Sequence, residues 1–268
     1  MSRNRTASFG NVLLTEFAKL RRSKVTWLTL AAYAFMVAMG GVFMWMMKNP
    51  GMAEKFGLLG QKAKFAFEGQ SADWGTFIMF TVAMGGIGGL IMCSIIVTYV
   101  FGREYAEGTA KNLLALPIPR RVFVFAKIIV SALWFGVLTL FLIPETYLVG
   151  TLVGIGVLNA ELFLAAALKL LVLALMSLCC SLIAAWVAVK TRGYFAPLGY
   201  CIFTLALGSI FGHTGWAPWV PWTIVGLYSG AAGQDVTLGW GSFIVIFATF
   251  VVGLVLIVHH ETYADNGQ

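Results

Sequence analysis

The chain is a succession of long apolar runs separated by short polar intervals. A helix needs about 20 apolar residues, at 1.5 Å rise each, to cross a hydrocarbon layer ~30 Å thick. Six runs approach or exceed that length, at about 26–47, 76–100, 122–143, 168–189, 194–211 and 242–258. The pattern predicts an all-α polytopic membrane protein with six transmembrane helices, formed as one domain over residues 1–268. Pro144 is expected to end or kink the third helix, which would leave Glu145 near the outer interface.

The intervals carry their own patterns. In FGNVLLTEFAKLRRSK, residues 9–24, Phe9, Leu13, Phe17 and Leu20 fall on one face of a helical wheel. Thr15, Lys19 and Arg22 fall opposite. This is the pattern of a basic amphipathic helix lying in the membrane interface, its cations towards anionic headgroups. A solvated basic tail is the plainer alternative. The second run contains GGIGG, Gly85 to Gly89, which suits close helix packing within the chain or a seam between two chains. Residues 49–74 read as a polar, partly helical outer connection. Between the last two runs, GHTGWAPWVPW sets Trp216, Trp219 and Trp222 three residues apart. Indoles favour headgroup depth, so this is an interfacial or re-entrant segment, with a substrate vestibule as the sharper reading.

Composition agrees with the pattern. The chain is 60% hydrophobic and 11% charged, against about 45–50% and about 25% in soluble domains. Its +7 net charge sits at the ends of the apolar runs rather than along a stripe, which points to orientation in a bilayer and away from nucleic acid. Arg3, Arg5, Lys19, Arg21, Arg22 and Lys24 precede the first run. Arg103, Lys111, Arg120, Arg121 and Lys127 surround the loop after the second, and Lys190 and Arg192 follow the fourth. The other side has Lys48, Lys55, Lys62 and Lys64, with Lys169 near its interface. The positive-inside rule then places both termini in the cytoplasm. The polar, basic N-terminus shows no pattern of a cleaved leader. Cys93, Cys179, Cys180 and Cys201 lie inside apolar runs without CxxC spacing and read as packing residues.

The chemistry of an enzyme is missing. HHETY, from His259, has the wrong order for HExxH, GLYSG does not match GxSxG, and His213 stands alone in a loop. No catalytic or metal-binding residue is assigned. Lys127 and Lys169 are expected to snorkel to opposite interfaces, which leaves the spans without a midplane charge for a coupling ion. No GxxxxGK[ST] occurs, so nucleotide, if used, is held by another chain.

The loop FGREYAEGTAKNLLALPIPRR, Phe101 to Arg121, is richer than a turn requires. The second helix is expected to continue through Tyr105 and to break at Gly108. Thr109 is a good N-cap for TAKNLLAL, a short helix over 109–116 stopped by Pro117. That helix would expose Leu113, Leu114 and Leu116 beside Glu104, Glu107 and Lys111. The leucines suit either a partner's groove or a return to headgroups and neighbouring loops. Glu104, Glu107, Gly108, Thr109, Leu113, Leu114, Pro117 and Arg120 occur in the order found in the cytoplasmic loop of ABC-2 type transporter permeases. With the basic N-terminal helix and six spans, the chain resembles that family, and within it the small permeases of bacitracin, lantibiotic and multidrug exporters.

The resemblance implies a non-catalytic membrane subunit in the plasma (inner) membrane. Two permease chains, identical or unlike, would pair among lipids, each resting on a subunit of a cytoplasmic ABC ATPase dimer that binds ATP and Mg²⁺. This chain would bind no cofactor. Residues 109–116 would be the coupling helix, and closure of the ATPases would move the permease helices through it. The substrate class would be an amphipathic peptide, antibiotic or lipid-like molecule moved outward. The competing readings are a self-sufficient carrier or channel and, more remotely, an intramembrane enzyme.

Overall fold

The structure, a computed structural model, describes residues 9–57, 71–109, 118–157, 159–231 and 238–263. Among these residues all regular structure is helical: α1 (Phe9–Arg21), α2 (Lys24–Lys48), α3 (Pro50–Lys55), α4 (Trp74–Ala106), α5 (Arg120–Val153), α6 (Ala160–Thr191), α7 (Phe195–Phe211), a 3₁₀ turn (Ala217–Trp219), α8 (Pro221–Ser229) and α9 (Trp240–Tyr263). Polar residues set several starts. Ser23 Oγ accepts from the Thr26 amide, Asp73 Oδ1 from Thr76 at 2.8 Å, and Asn159 Oδ1 from Glu161 at 2.9 Å, each satisfying an amide that the first helical turn leaves open.

Five helices, α2, α4, α5, α6 and α9, are long and apolar enough to cross a membrane. The fifth expected span corresponds to α7, which has 17 residues, about 25 Å of helix and short of the ~30 Å layer. The chain then turns back through the 3₁₀ segment into α8, which buries Thr223, Ile224, Val225, Leu227 and Ser229 against α4, α6 and α7. The Cys180 thiol donates to the Pro221 carbonyl at 3.7 Å, so α8 begins beside the middle of α6 rather than at its end.

α4 forms the centre, touching α2, α5, α6, α7 and α8. Its glycines resolve the choice left open by GGIGG. A Cβ on Gly85 would stand 2.6 Å from Leu170 Cδ2, one on Gly86 2.4 Å from Ser229 Cβ, and one on Gly88 2.4 Å from Met36 Cε. These glycines are seats for α6, α8 and α2 of the same chain. Hydroxyl pairs add interhelical bonds, Thr81 with Thr146 at 3.2 Å and Ser94 with Ser181 at 3.1 Å.

Pro144 neither ends nor breaks its helix. α5 continues to Val153 and closes at Gly154, which takes φ 72°. Proline removes one amide hydrogen and crowds one carbonyl, and neighbouring helices in a membrane bundle compensate. Thr146 packs on α4 two residues beyond it, so Glu145 lies within α5 and not past its end. The far end of the bundle is fastened by Lys48 Nζ, which donates to the Gly154 carbonyl at 2.7 Å, and by the Trp74 indole, which donates to Gly156 at 2.8 Å. The opposite end carries the N-terminus of α5 and the C-termini of α4, α6 and α9, together with α1; it is the basic end of the molecule.

Candidate coupling site

The base of the 107–119 loop is built from α1, α4 and α5. Glu104 lies one residue inside the penultimate position of α4, Lys127 two turns into α5, and the hairpin between these helices sets them side by side. Glu104 Oε2 accepts from Lys127 Nζ at 2.6 Å and Oε1 from Lys19 Nζ at 3.1 Å. Lys19 also meets Glu16 Oε1 at 2.5 Å, and Arg103 approaches Glu16 Oε2 at 3.9 Å. Glu104, Lys127 and Glu16 are only 4%, 3% and 3% exposed, so these charges are stripped of water and hold one another. Burial lowers the proton affinity of Lys19, but its hydrogen bond and charge interactions with Glu16, and then Glu104, outweigh that and keep its ammonium above the ordinary lysine range.

Around this centre the helix ends are tied together. Tyr105 Oη donates to Glu261 Oε1 at 3.0 Å, and Arg120 donates to the Glu261 carbonyl at 2.8 Å, joining α9 to both arms of the hairpin. The guanidinium of Arg103 lies over the Tyr99 ring, which stacks on Tyr194 before α7. α4 ends in a left-handed cap: Gly108 takes φ 68°, its amide bonds to Tyr105, and the Thr109 amide bonds to Glu104 at 2.9 Å. Only glycine adopts that conformation at little cost. Glu107 caps the helix and is exposed. Lys111, Leu113, Leu114, Leu116 and Pro117, and with them all but Thr109 of the expected 109–116 helix, lie outside the described residues.

The N-terminal helix packs on the bundle along one edge. Its buried edge is Val12, Glu16 and Leu20, with Val12 packed on Phe123 and Ala126 of α5. Leu20 joins the main core and Leu13 is half-buried, whereas Phe9 and Phe17 are exposed. Lys19, set opposite the apolar face by the wheel, faces Glu104 instead, while Arg22 stays exposed. The wheel counted apolar residues and missed that a carboxylate and an ammonium had buried partners waiting on α4. Lys127 is corrected likewise: it does not snorkel but ends on Glu104. Its sequence signal was its depth, two helical turns inside an apolar run, where a cation requires a counter-charge. Glu16, Arg103 and Glu261 were also missed.

An all-helical bundle with several helices long enough to span a bilayer, and with a charge-locked hairpin at one end, is a multi-pass membrane protein. Residues 12–208 match the family described as ABC-2 family transporter protein, and the chain belongs to that family; it is a membrane transport subunit. A stretch of 46 residues is 39% identical to the bacitracin transport permease protein BCRB of Bacillus licheniformis. That stretch covers 17% of this chain and 22% of the relative, so the chain matches less than a quarter of that protein's length.

Proposed function

We propose that the chain is the permease subunit of an ATP-driven exporter, lining the path of an amphipathic peptide, antibiotic or lipid-like substrate. ATP and Mg²⁺ are held by a separate cytoplasmic ATPase dimer, and two permease chains pair above it in the plasma membrane with both termini in the cytoplasm. The observation that carries this reading is the length and bracing of the α4–α5 hairpin. Its arms have 33 and 34 residues, about 50 Å each, whereas the hydrocarbon layer is ~30 Å thick. At the loop end of these arms, the ion pairs of Glu104 join the hairpin to α1. A push on the loop is then passed to α1, α4, α5 and α9 as one body instead of being absorbed by local bending. The family membership and the short match to a bacitracin permease support an exported substrate of this class.

The test is capture of the ATPase. Tagged full-length chain is purified from its native membrane, and an ATPase subunit is expected with it. Leu113→Asp with Leu114→Asp should release that subunit while the permease itself is recovered in normal yield. Undiminished capture by the double variant would remove the loop from the contact.

A further inference from the structure

Away from the charge cluster, two formally charged side chains lie eight or more residues inside the spanning helices: Lys169 of α6, whose ammonium lies over the Tyr228 ring, and Glu145 of α5. Glu145 is half-buried in α5, with eight helical residues, 146–153, still to follow. Its Oε2 is shielded from solvent and has no hydrogen-bond partner among the described residues. The residue before it, Pro144, has no amide hydrogen to offer the Leu140 carbonyl one turn back. Glu145 therefore presents a shielded acceptor without a donor among the described residues.

The setting of Glu145 follows from the packing of α2 on α5. The Trp134 indole donates to Thr29 Oγ1 at 3.3 Å, and Val149 Cγ1 lies 2.2 Å from where a Cβ on Gly41 would stand. The two helices run parallel, and this register sets Glu145 level with Ala38, between the small residues Ala34 and Gly41. Between Lys24 and Lys48, α2 brings no ionisable side chain except Tyr33, which is fully buried, and Lys48 is occupied by the α5 terminus. α4 has no Lys, Arg or His between Asp73 and Arg103. Phe141 and Leu148, the α5 neighbours of Glu145 on the outward side, are 41% and 57% exposed. Glu145 thus lies beside an apolar, exposed edge of the bundle.

We infer that Glu145 is a recognition site for the protonated amine of an amphiphile, whose hydrocarbon lies along the α2–α5 edge. An ammonium supplies the missing donors and counter-charge in one group. Phe141, one helical turn before it, is exposed, and an aromatic ring attracts a cation. A lipid with a primary-amine headgroup and a cationic exported molecule share this chemistry. The inference draws on the transport reading only for why such a molecule would be present; the site itself requires neither nucleotide nor ATPase.

The test uses the purified full chain in phosphatidylcholine vesicles with a hydrophobic carbodiimide, which activates carboxyl groups within membranes; peptide mass spectrometry reads the loss of the unmodified Glu145 peptide, which counts the carbodiimide adduct and any amide formed by a trapping amine alike. Dodecylammonium should slow that modification about tenfold, the weight of one charge-assisted hydrogen bond, and dodecanol should not. Glu145→Asp should retain selective retention of dodecylammonium in native mass spectrometry, and Glu145→Gln should lose it. Protection on replacing the vesicle lipid by phosphatidylethanolamine would identify a lipid headgroup as occupant. Its absence there, with dodecylammonium still protecting, would assign the site to a free cationic amphiphile. Equal labelling with the ammonium and the alcohol overturns the inference, and it is read on the unmodified protein, so a variant that fails to fold cannot obscure it. Loss of ATPase capture alone would count against the coupling reading and leave this one standing.

Discussion

At the scale of single residues, the cluster around Glu104 makes an unequal set of partners. Glu104 serves two cations, Lys127 and Lys19. Removing the carboxylate strands Lys127, which is 3% exposed, whereas removing Lys127 leaves Glu104 with Lys19. A buried ion that loses its partner costs about 3–5 kcal/mol, while replacing both members by apolar groups is often neutral. Glu104→Gln is therefore expected to lower stability by about that amount, Lys127→Met by less, and Glu104→Leu with Lys127→Leu to recover most of the loss. Unfolding of the purified chain in detergent gives the order; equal costs for both single variants would show that Lys19 contributes nothing. The sequence made these residues visible as charges at the ends of runs. It did not make them visible as a set, because Glu16, Lys19, Glu104 and Lys127 come from three helices and meet only once α1 has docked on α5.

At the scale of elements, apolar runs located the crossing helices but not their ends. The third run ends at Ile143 whereas α5 reaches Val153; α4 ends at Ala106, one residue past the expected continuation through Tyr105. Polar residues stop an apolar run without stopping a helix: Arg103 and Glu104 stay helical because their charges are paired, and Pro144 removes only one backbone bond. α8 was harder still. The tryptophans before it mark an interfacial or re-entrant segment, but a nine-residue stretch carries no sign of its depth, which is set by Gly86 leaving room for Ser229. Glycine at position 108 was legible for the opposite reason, since a left-handed cap is a local requirement. Gly108→Val is expected to cost about 1–2 kcal/mol, the strain of a side chain at positive φ. It should also weaken ATPase capture, because it redirects the loop leaving α4. Gly57 supplies the control: at φ 66° it is equally left-handed, and a Cβ there meets nothing within 4 Å. Gly57→Val should carry a similar strain cost with capture intact. Equal loss of capture in both variants would assign the effect to stability rather than to the direction of the loop.

At the scale of the whole molecule, the decisive quantity is which end of the bundle faces the cytoplasm. The helix contacts fix relative placement: α1, the α4–α5 hairpin and the end of α9 share one end, through Lys19, Glu104 and the Arg120–Glu261 bond. Residues 49–57 and the Trp74 side chain belong to the other, beside Lys48 and Gly156. Contacts within one chain cannot orient that body in a membrane, but charge can, because cationic loops are retained on the cytoplasmic side. Two exposed positions at opposite ends turn this into a measurement. Phe56 follows α3, Glu107 caps α4, and both are exposed. The native thiols of Cys93, Cys180 and Cys201 are buried and that of Cys179 is half-buried, so a membrane-impermeant maleimide should find little background on the unmodified chain. In intact cells Phe56→Cys is expected to react and Glu107→Cys to stay silent until the membrane is opened. The reverse pattern would place the braced hairpin where no cytoplasmic ATPase can reach it, and the coupling reading would fall.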